Sequence, residues 1–478
     1  MIADSALELT DAVLAMAFIG DLSMGRATDH SRRTACLAGL LAAAHGAGVA
    51  GQDHARAVAL LRWSGCTANA GGFAELLGDD VASREAMMAQ TLPPLDARTQ
   101  SLIVPLALIH CEISGDVAIS LGMPQAVVAG LRHAFERYDG KGMPLALDGT
   151  AVSPLAYVVN AASDLEILSR AHGRDSALDF LRQQAGAKYP AEIAELAVRH
   201  GPAWLDQMDA DPPDGAAWNL GGGQATALTL LADVAELKLP WLAGYSRRVA
   251  ALAVATAARL DLDAATQARL QAAALVHGIG RAALPNRLWN TAGKLTPDQW
   301  EQVRLMPYWT ARAARQIKGL SAAAELASYA YERLDGSGYF RGTAGAALDR
   351  AQRVLAIAVT LQALLEDRPW RRALSLQDGA RTLRDEAAAG RYDADVVEAA
   401  IAAAGGEPAA PRRAASPLSQ RELEVLRQVS LGASNKETAR ALDISPSTVR
   451  THLESVFRKL DCSTRAAATL KALTSGLL

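Results

Sequence analysis

The sequence predicts an all-α protein: two tandem helical bundles followed by a small C-terminal helical domain. Three observations carry this expectation. Half of the 478 residues are hydrophobic but only 5% are aromatic, and an apolar content made mostly of Ala, Leu and Val favours helix over sheet. Most of the chain upstream of the C-terminus repeats itself. The C-terminal stretch carries three closely spaced helix start signals. The length exceeds what one hydrophobic core holds and fits about three domains.

The repeat emerges when the chain is laid on itself. HSRRTACLAGLLAAA from His30 matches YSRRVAALAVATAAR from Tyr245, and ERYDGKGMP from Glu136 matches ERLDGSGYF from Glu332. In each copy the second block precedes a helix-forming segment, near Leu155 and near Val354, and the first copy has extra residues around 71–97. A stretch rich in Pro, Gly and Asp, DADPPDGAAWNLGGGQ from Asp209, reads as a linker between the copies. The expected layout is a first copy at 1–205, a linker at 206–226, a second copy at 227–404, a linker at 405–415 and a final domain at 416–478.

That final domain is the most informative stretch. Ser419 with Glu422 and Ser434 with Glu437 fit the S-x-x-E capping box, and Ser445 followed by Pro446 is an N-cap with proline at the first helical position. Val449, Leu453, Val456, Phe457 and Leu460 give the third helix one apolar stripe. Its other arc bears Thr448, Arg450, Thr451, His452, Glu454, Ser455, Arg458 and Lys459. A helix of this kind, entered from a shorter helix through a tight turn, is the form that lies in a DNA major groove. Nine bases against six acids leave this domain at +3, so the formal −3 of the whole chain leaves −6 upstream. The asymmetry places a nucleic-acid surface at the C-terminus and argues against a second one. The alternative is a small bundle with no nucleic-acid role.

From Leu418 to Leu460 the sequence also resembles the LuxR-type helix-turn-helix domain, matching its L-[ST]-x-R-E-x-E-V-L, S-N-K-E and T-V-x-x-H-L segments. Arg450 stands for the usual Lys, and Asp461 stands where a glycine often ends the helix, which implies a slightly strained turn. The resemblance implies that Arg450, Thr451 and Glu454 face base edges while Asn435, Lys436, Arg458 and Lys459 lie near phosphates. Thr448 and His452 complete the expected contact set. A local ion pair of Glu454 with Arg450 or Arg458 is the competing reading for that carboxylate.

The second copy resembles the HD-GYP branch of the HD phosphohydrolases through HGIGRAALPNRLWNTAGKLTPDQW and ERLDGSGYFRG. The family fold implied is a bundle of helices with a metal site between them, where one to three ions activate water to cut a cyclic dinucleotide. Matched to the family's ligand pattern, the copy has Tyr245, Gly278, Met306, Ala330, Tyr331 and Val359 in place of ligands and keeps His277. The first copy keeps His30 and His110, but Arg62, Trp63, Ala134, Phe135 and Ala161 occupy the other positions, and His133 falls one residue early. One or two imidazoles do not hold a divalent cation. The three histidines are therefore expected to mark a vestigial metal site, with no catalytic residue, no bound metal and no cofactor; a weak or repurposed metal site is the alternative. Glu136, Asp139, Gly140 and Gly142 persist as Glu332, Asp335, Gly336 and Gly338. Asp-Gly-x-Gly is a turn signal, so its survival speaks for a retained fold.

The expected function is a sequence-specific DNA-binding transcriptional regulator that is not an enzyme, with HD-GYP-like repeats acting as a sensory or dimerisation platform. The alternative is residual metal-dependent cyclic di-GMP phosphodiesterase activity coupled to a DNA-binding output. Expected partners are double-stranded DNA carrying an inverted-repeat operator and a second copy of the chain; RNA polymerase and an unidentified small-molecule ligand are further candidates. Apolar replacements at the old ligand positions leave a cavity either open to such a molecule or filled solid. Cys36, Cys66, Cys111 and Cys462 lie far apart without a C-x-x-C pair, the usage of a reducing compartment. The N-terminus lacks a basic signal-peptide region, and charges interrupt the apolar runs before the ~18 residues needed to span a bilayer. A cytoplasmic protein with no membrane partner is expected.

Overall fold

A computed structural model describes residues 6–25, 27–215, 218, 220–221, 224–291, 293–405 and 416–478. Its contacts form two compact units: Glu8–Thr226, and Ala227–Leu478 with the N-terminal residues through Leu7. Helices dominate both, and the only named strands among the described residues are Ala6–Glu8 and Ala225–Ala227, three residues each.

The two bundles are built in the same order. The matched sequence blocks become the 15-residue helices His30–Ala44 and Tyr245–Arg259, which begin at the residues that open each block. The first packs on Val49–Leu61 and Pro154–His172, the second on Ala264–Val276 and Arg350–Leu364. Caps written in the sequence set several starts. Asp263 accepts from Thr266 N–H, and Asp349 forms a reciprocal capping box with Gln352. A helix before each block, Leu9–Ser23 and Leu228–Glu236, belongs to the repeat as well. Sequence comparison passed over this part because the two helices share little beyond apolar character.

One expectation changes. The helix Ala191–Ala210 runs into the expected 206–226 linker and stops before Pro212 and Pro213. Proline lacks the N–H that would continue the helix and disfavours the α conformation in the residue before it. The helix Ala97–Ser120 is 24 residues long and apolar enough to cross a membrane by length and composition, with Glu112 and Asp116 interrupting its apolar run as expected. Half of its apolar window is buried inside the protein, and it packs on Gln125–Arg132 within the first bundle. Of the 405–415 linker, residues 406–415 lie outside the described residues.

The C-terminal domain has four helices, Gln420–Ser430, Asn435–Leu442, Pro446–Lys459 and Arg465–Thr474. Both capping boxes form, and Ser445 accepts from Thr448 N–H. Val425, Val429, Val449 and Leu453 make one core cluster; Leu426, Val456, Ala468 and Ala472 make another. Asp461 has φ 50 after the third helix, as does Asp443, at φ 51, after the second. The left-handed conformation strains a non-glycine residue, although Asp tolerates it better than most. The last helix packs on Leu228–Glu236 of the second bundle, where Leu473 lies near Gly244. Its Ala467, Leu470 and Leu473 are buried within one chain.

Candidate functional site

The persistent Glu and Gly residues do the same work in both copies. Glu136 is buried and accepts from the backbone N–H groups of Leu145 (2.8 Å) and Leu147 (3.0 Å). Glu332 repeats this with Arg341 (2.8 Å) and Thr343 (3.0 Å). A Cβ on Gly142 would lie 2.5 Å from Glu136 Cα, and one on Gly338 2.4 Å from Glu332 Cα. Each motif is thus a loop tied down by a buried carboxylate and closed by a glycine that lets backbone meet backbone. Gly65 and Gly280 form a second matched pair that the sequence comparison did not single out. Gly65 N–H donates to Ser114 Oγ and Gly280 N–H to Thr310 Oγ1.

In the second copy, residues at the positions matched to the family's ligand pattern converge. Tyr245 donates its hydroxyl to the Val359 carbonyl at 2.9 Å, and its ring lies 5.7 Å from that of His277. His277 is fully buried, with Nδ1 2.6 Å from the Ala274 carbonyl and Nε2 3.4 Å from the Arg281 guanidinium. Burial, reinforced by Arg281, holds this imidazole's pKa down to about 3, so it is neutral at physiological pH. Nδ1–H therefore donates to Ala274 and Nε2 accepts from Arg281. Arg281 also donates to the Tyr331 hydroxyl at 2.8 Å, and Tyr331 stacks on Tyr339. Met306 packs with Leu284, Leu288 and Tyr331.

The first copy divides its retained histidines. His30 is buried with Nδ1 2.5 Å from Glu166 Oε2, in a cluster containing Arg33 and Arg170. Burial disfavours the Glu166 carboxylate, but His30 and the two arginines outweigh it and hold its pKa below the usual carboxyl range. His110 instead sits among Trp63 and Phe135, with ring centroids 6.0 and 4.8 Å away. Its Nε2–H donates to the Arg62 carbonyl at 2.7 Å, and Nδ1 faces Cys66 Sγ at 3.7 Å. Burial lowers its pKa to about 3. His133, one residue off the ligand position, accepts from Ser153 N–H instead. Among the described residues no group of three or more His, Cys, Asp or Glu is arranged to hold a metal ion. Trp63, His110 and Phe135 line a cavity of about 260 Å³, so this site is open.

Sequence reasoning missed one pair of acids. Asp21 accepts from Ser31 N–H, and Glu236, ten residues before Ser246 in the same register, accepts from Ser246 N–H at 2.6 Å. Each comes from the helix preceding the matched block, and the equal spacing was the available signal. Burial raises Asp21 to about 6 and Glu236 to about 7. A carboxyl raised in the folded state contributes stability below its unfolded value that is lost as pH rises through the folded value. Glu236→Gln, which cannot ionise, should therefore gain on the native protein between pH 5 and pH 8 by about 1–3 kcal/mol. Denaturant melts across that range check this; parallel pH profiles would contradict it.

In the C-terminal domain, Arg450 Nε meets Glu454 Oε1 at 2.9 Å with the two side chains 76% and 61% exposed. The local pair weighed for Glu454 therefore forms in the protein without DNA. Lys459 lies 2.7 Å from Glu422, which also accepts from Ser455. Burial works against that carboxylate, but Lys459 and its hydrogen bonds hold it down to about 2. Asn435 accepts from Arg465 at 2.6 Å. Thr448 Oγ1 bonds Ser445 Oγ, Thr451 donates to the Ser447 carbonyl, and Arg458 donates to Ser455 Oγ at 3.4 Å. Lys436 is exposed and His452 is partly exposed.

Fold and sites together define a class: tandem HD-type helical modules joined to a helix-turn-helix output. Residues 229–396 match the HD domain family, and residues 416–472 match the family of bacterial regulatory proteins, luxR family. The chain thus carries an HD domain followed by a LuxR-family helix-turn-helix domain. It is 26% identical over 289 residues to 3'3'-cGAMP-specific phosphodiesterase 3 of Vibrio cholerae, covering 58% of this chain and 63% of that one. To phosphodiesterase 1 of the same organism it is 34% identical over 172 residues, covering 36% and 40%. It thus spans less than two thirds of the length of these relatives. The C-terminal domain is 46% identical over 55 residues to the nitrate/nitrite response regulator protein NarP of Escherichia coli, covering 12% of this chain and 26% of NarP. The crystal structure of a cyclic GMP-AMP specific phosphodiesterase of V. cholerae superposes with a TM-score of 0.61 at 19% identity, covering 84% of this chain and 99% of that one. That likeness establishes a shared fold.

Proposed function

We propose that this regulator binds inverted-repeat operators as a homodimer, and that its two HD-type bundles are a non-catalytic sensory and dimerisation platform. The observation that carries the reading is the state of the second-copy site. His277 has both ring nitrogens engaged, and the guanidinium of Arg281 lies where a cation would have to approach that imidazole. A fixed positive charge beside the retained histidine opposes a metal ion by Coulomb repulsion, strongly so in a buried site. Residues at the other ligand positions supply a phenol, a thioether and aliphatic side chains, none of them a hard anionic donor for the cation. The working domains are 1–210, with the helix Ala191–Ala210 kept whole, 227–404 and 416–478, and the cytoplasm is the working compartment.

A second reading draws on the similarity to cyclic dinucleotide phosphodiesterases: residual hydrolysis coupled to DNA binding. Selection of bound sequences from random DNA by the full chain tests the regulatory part. A two-fold symmetric motif with half-sites one helical turn apart supports it. Recovery of DNA without a motif contradicts it.

A further inference from the structure

The geometry points to a binding site for a small, uncharged aromatic molecule in the first bundle, in the cavity beside His110. This deepens the sensory reading by naming the ligand class, and rests on it for the consequence at DNA. The cavity is about 260 Å³. That lies between an apolar cavity of about 150 Å³ that takes up benzene and the roughly 300 Å³ at which drug-sized sites begin, which suits a bicyclic ring. Trp63, Phe73 and Phe135 supply ring walls, and Met24, Met88 and Met143 supply thioethers. Aromatic faces and edges favour an aromatic guest, and methionine adapts its shape to one.

The buried polar groups in the lining decide the charge of the guest, because each of them is satisfied by the protein, whereas Lys141 is exposed. Asn69 donates to the Leu106 carbonyl and accepts from Arg84. Arg84 is buried and donates also to the carbonyls of Ser23 and Cys66. His110 is committed to Arg62 O and Cys66 Sγ, and Cys66 Sγ also contacts Met24 Sδ at 3.3 Å. Arg137 is held by both oxygens of Asp139 at 3.0 Å. A carboxylate or ammonium placed among these buried groups, away from Lys141, would lose its hydration without gaining a partner. The wall includes Lys141, Gly142 and Met143 of the loop tied down by Glu136, so an occupant touches a structural element kept in both copies.

Calorimetric titration of the full chain with naphthalene and with 1-naphthoate tests the assignment. Naphthalene should bind, with 1-naphthoate at least about tenfold weaker, a factor equal to about 1.4 kcal/mol. Ala107→Phe should abolish naphthalene binding by filling the cavity. Met88→Trp, at a half-buried wall position, should do the same, so the test survives if the first variant does not fold. No binding of naphthalene, tighter binding of naphthoate, or binding untouched in a folded filled variant each overturns the proposal. Operator affinity measured with and without naphthalene separates the two levels. Naphthalene that binds in the cavity and leaves operator affinity unchanged upholds the site and contradicts the sensory reading.

Discussion

Gly280→Ala is expected to unfold the second bundle under conditions where the native protein is stable. A Cβ at this position would lie 1.9 Å from the Met306 carbonyl oxygen and 3.1 Å from Thr310 Oγ1. The first obstacle is backbone, so no rotamer change relieves it. The strand of contacts that must shift includes the bond from Gly280 N–H to Thr310 and the bond from Thr310 to the His277 carbonyl. Forcing a methyl into a packed interior costs about 1–3 kcal/mol where side chains can yield, and a backbone clash here should exceed about 4 kcal/mol. Gly65→Ala repeats the experiment in the first bundle, where the Cβ would lie 2.2 Å from the His110 carbonyl oxygen. Gly48, a helix N-cap whose added Cβ meets nothing within 4 Å, is the control; Gly48→Ala should cost less than about 1 kcal/mol. Denaturant titrations followed by circular dichroism read all three. A Gly280→Ala midpoint close to that of the native protein contradicts the packing account.

Arg450→Ala is expected to weaken operator binding by about 1–3 kcal/mol per half-site and to relax preference at one base pair in each. In a two-fold complex the cost applies twice. The ion pair with Glu454 does not protect Arg450 from this role. With both partners largely exposed, such an i,i+4 pair is worth only about 0.3–0.5 kcal/mol, far less than a bidentate contact with guanine. The guanidinium can therefore exchange Glu454 for a base at small cost. Lys436→Ala should instead weaken all DNA alike and flatten the salt dependence, as removal of a phosphate contact does. Titrations against matched and scrambled operators at two salt concentrations distinguish them. Equal loss on both DNAs for Arg450→Ala makes it a phosphate anchor and contradicts base reading.

Much of this architecture was legible in the sequence because the decisive signals are local. Capping boxes at Ser419 and Ser434 and the Asp-Gly-x-Gly turns depend on residues a few positions apart, and those pairs form as the spacing requires. The repeat was legible where side chains had been kept and invisible where only geometry had been kept. Asp21 and Glu236 differ in residue type, although both cap the next helix from ten residues upstream. The state of the two old ligand sites was not legible. Whether Tyr245 fills space or lines it depends on contacts with Val359 and His277, 114 and 32 residues away in sequence. The separation of His30 to Glu166 and His110 to the Trp63–Phe135 cluster likewise depends on long-range packing.

The HD-type bundles of this DNA-binding regulator are expected not to hydrolyse a cyclic dinucleotide. The most direct measurement is turnover of cyclic di-GMP and 3'3'-cGAMP by the purified full chain supplied with manganese or iron. The expected result is no product above background for either the native protein or His277→Ala. Metal-dependent turnover by the native protein that disappears in His277→Ala would contradict the account, since it would require His277 to give up its bond from Arg281 and hold a metal ion instead.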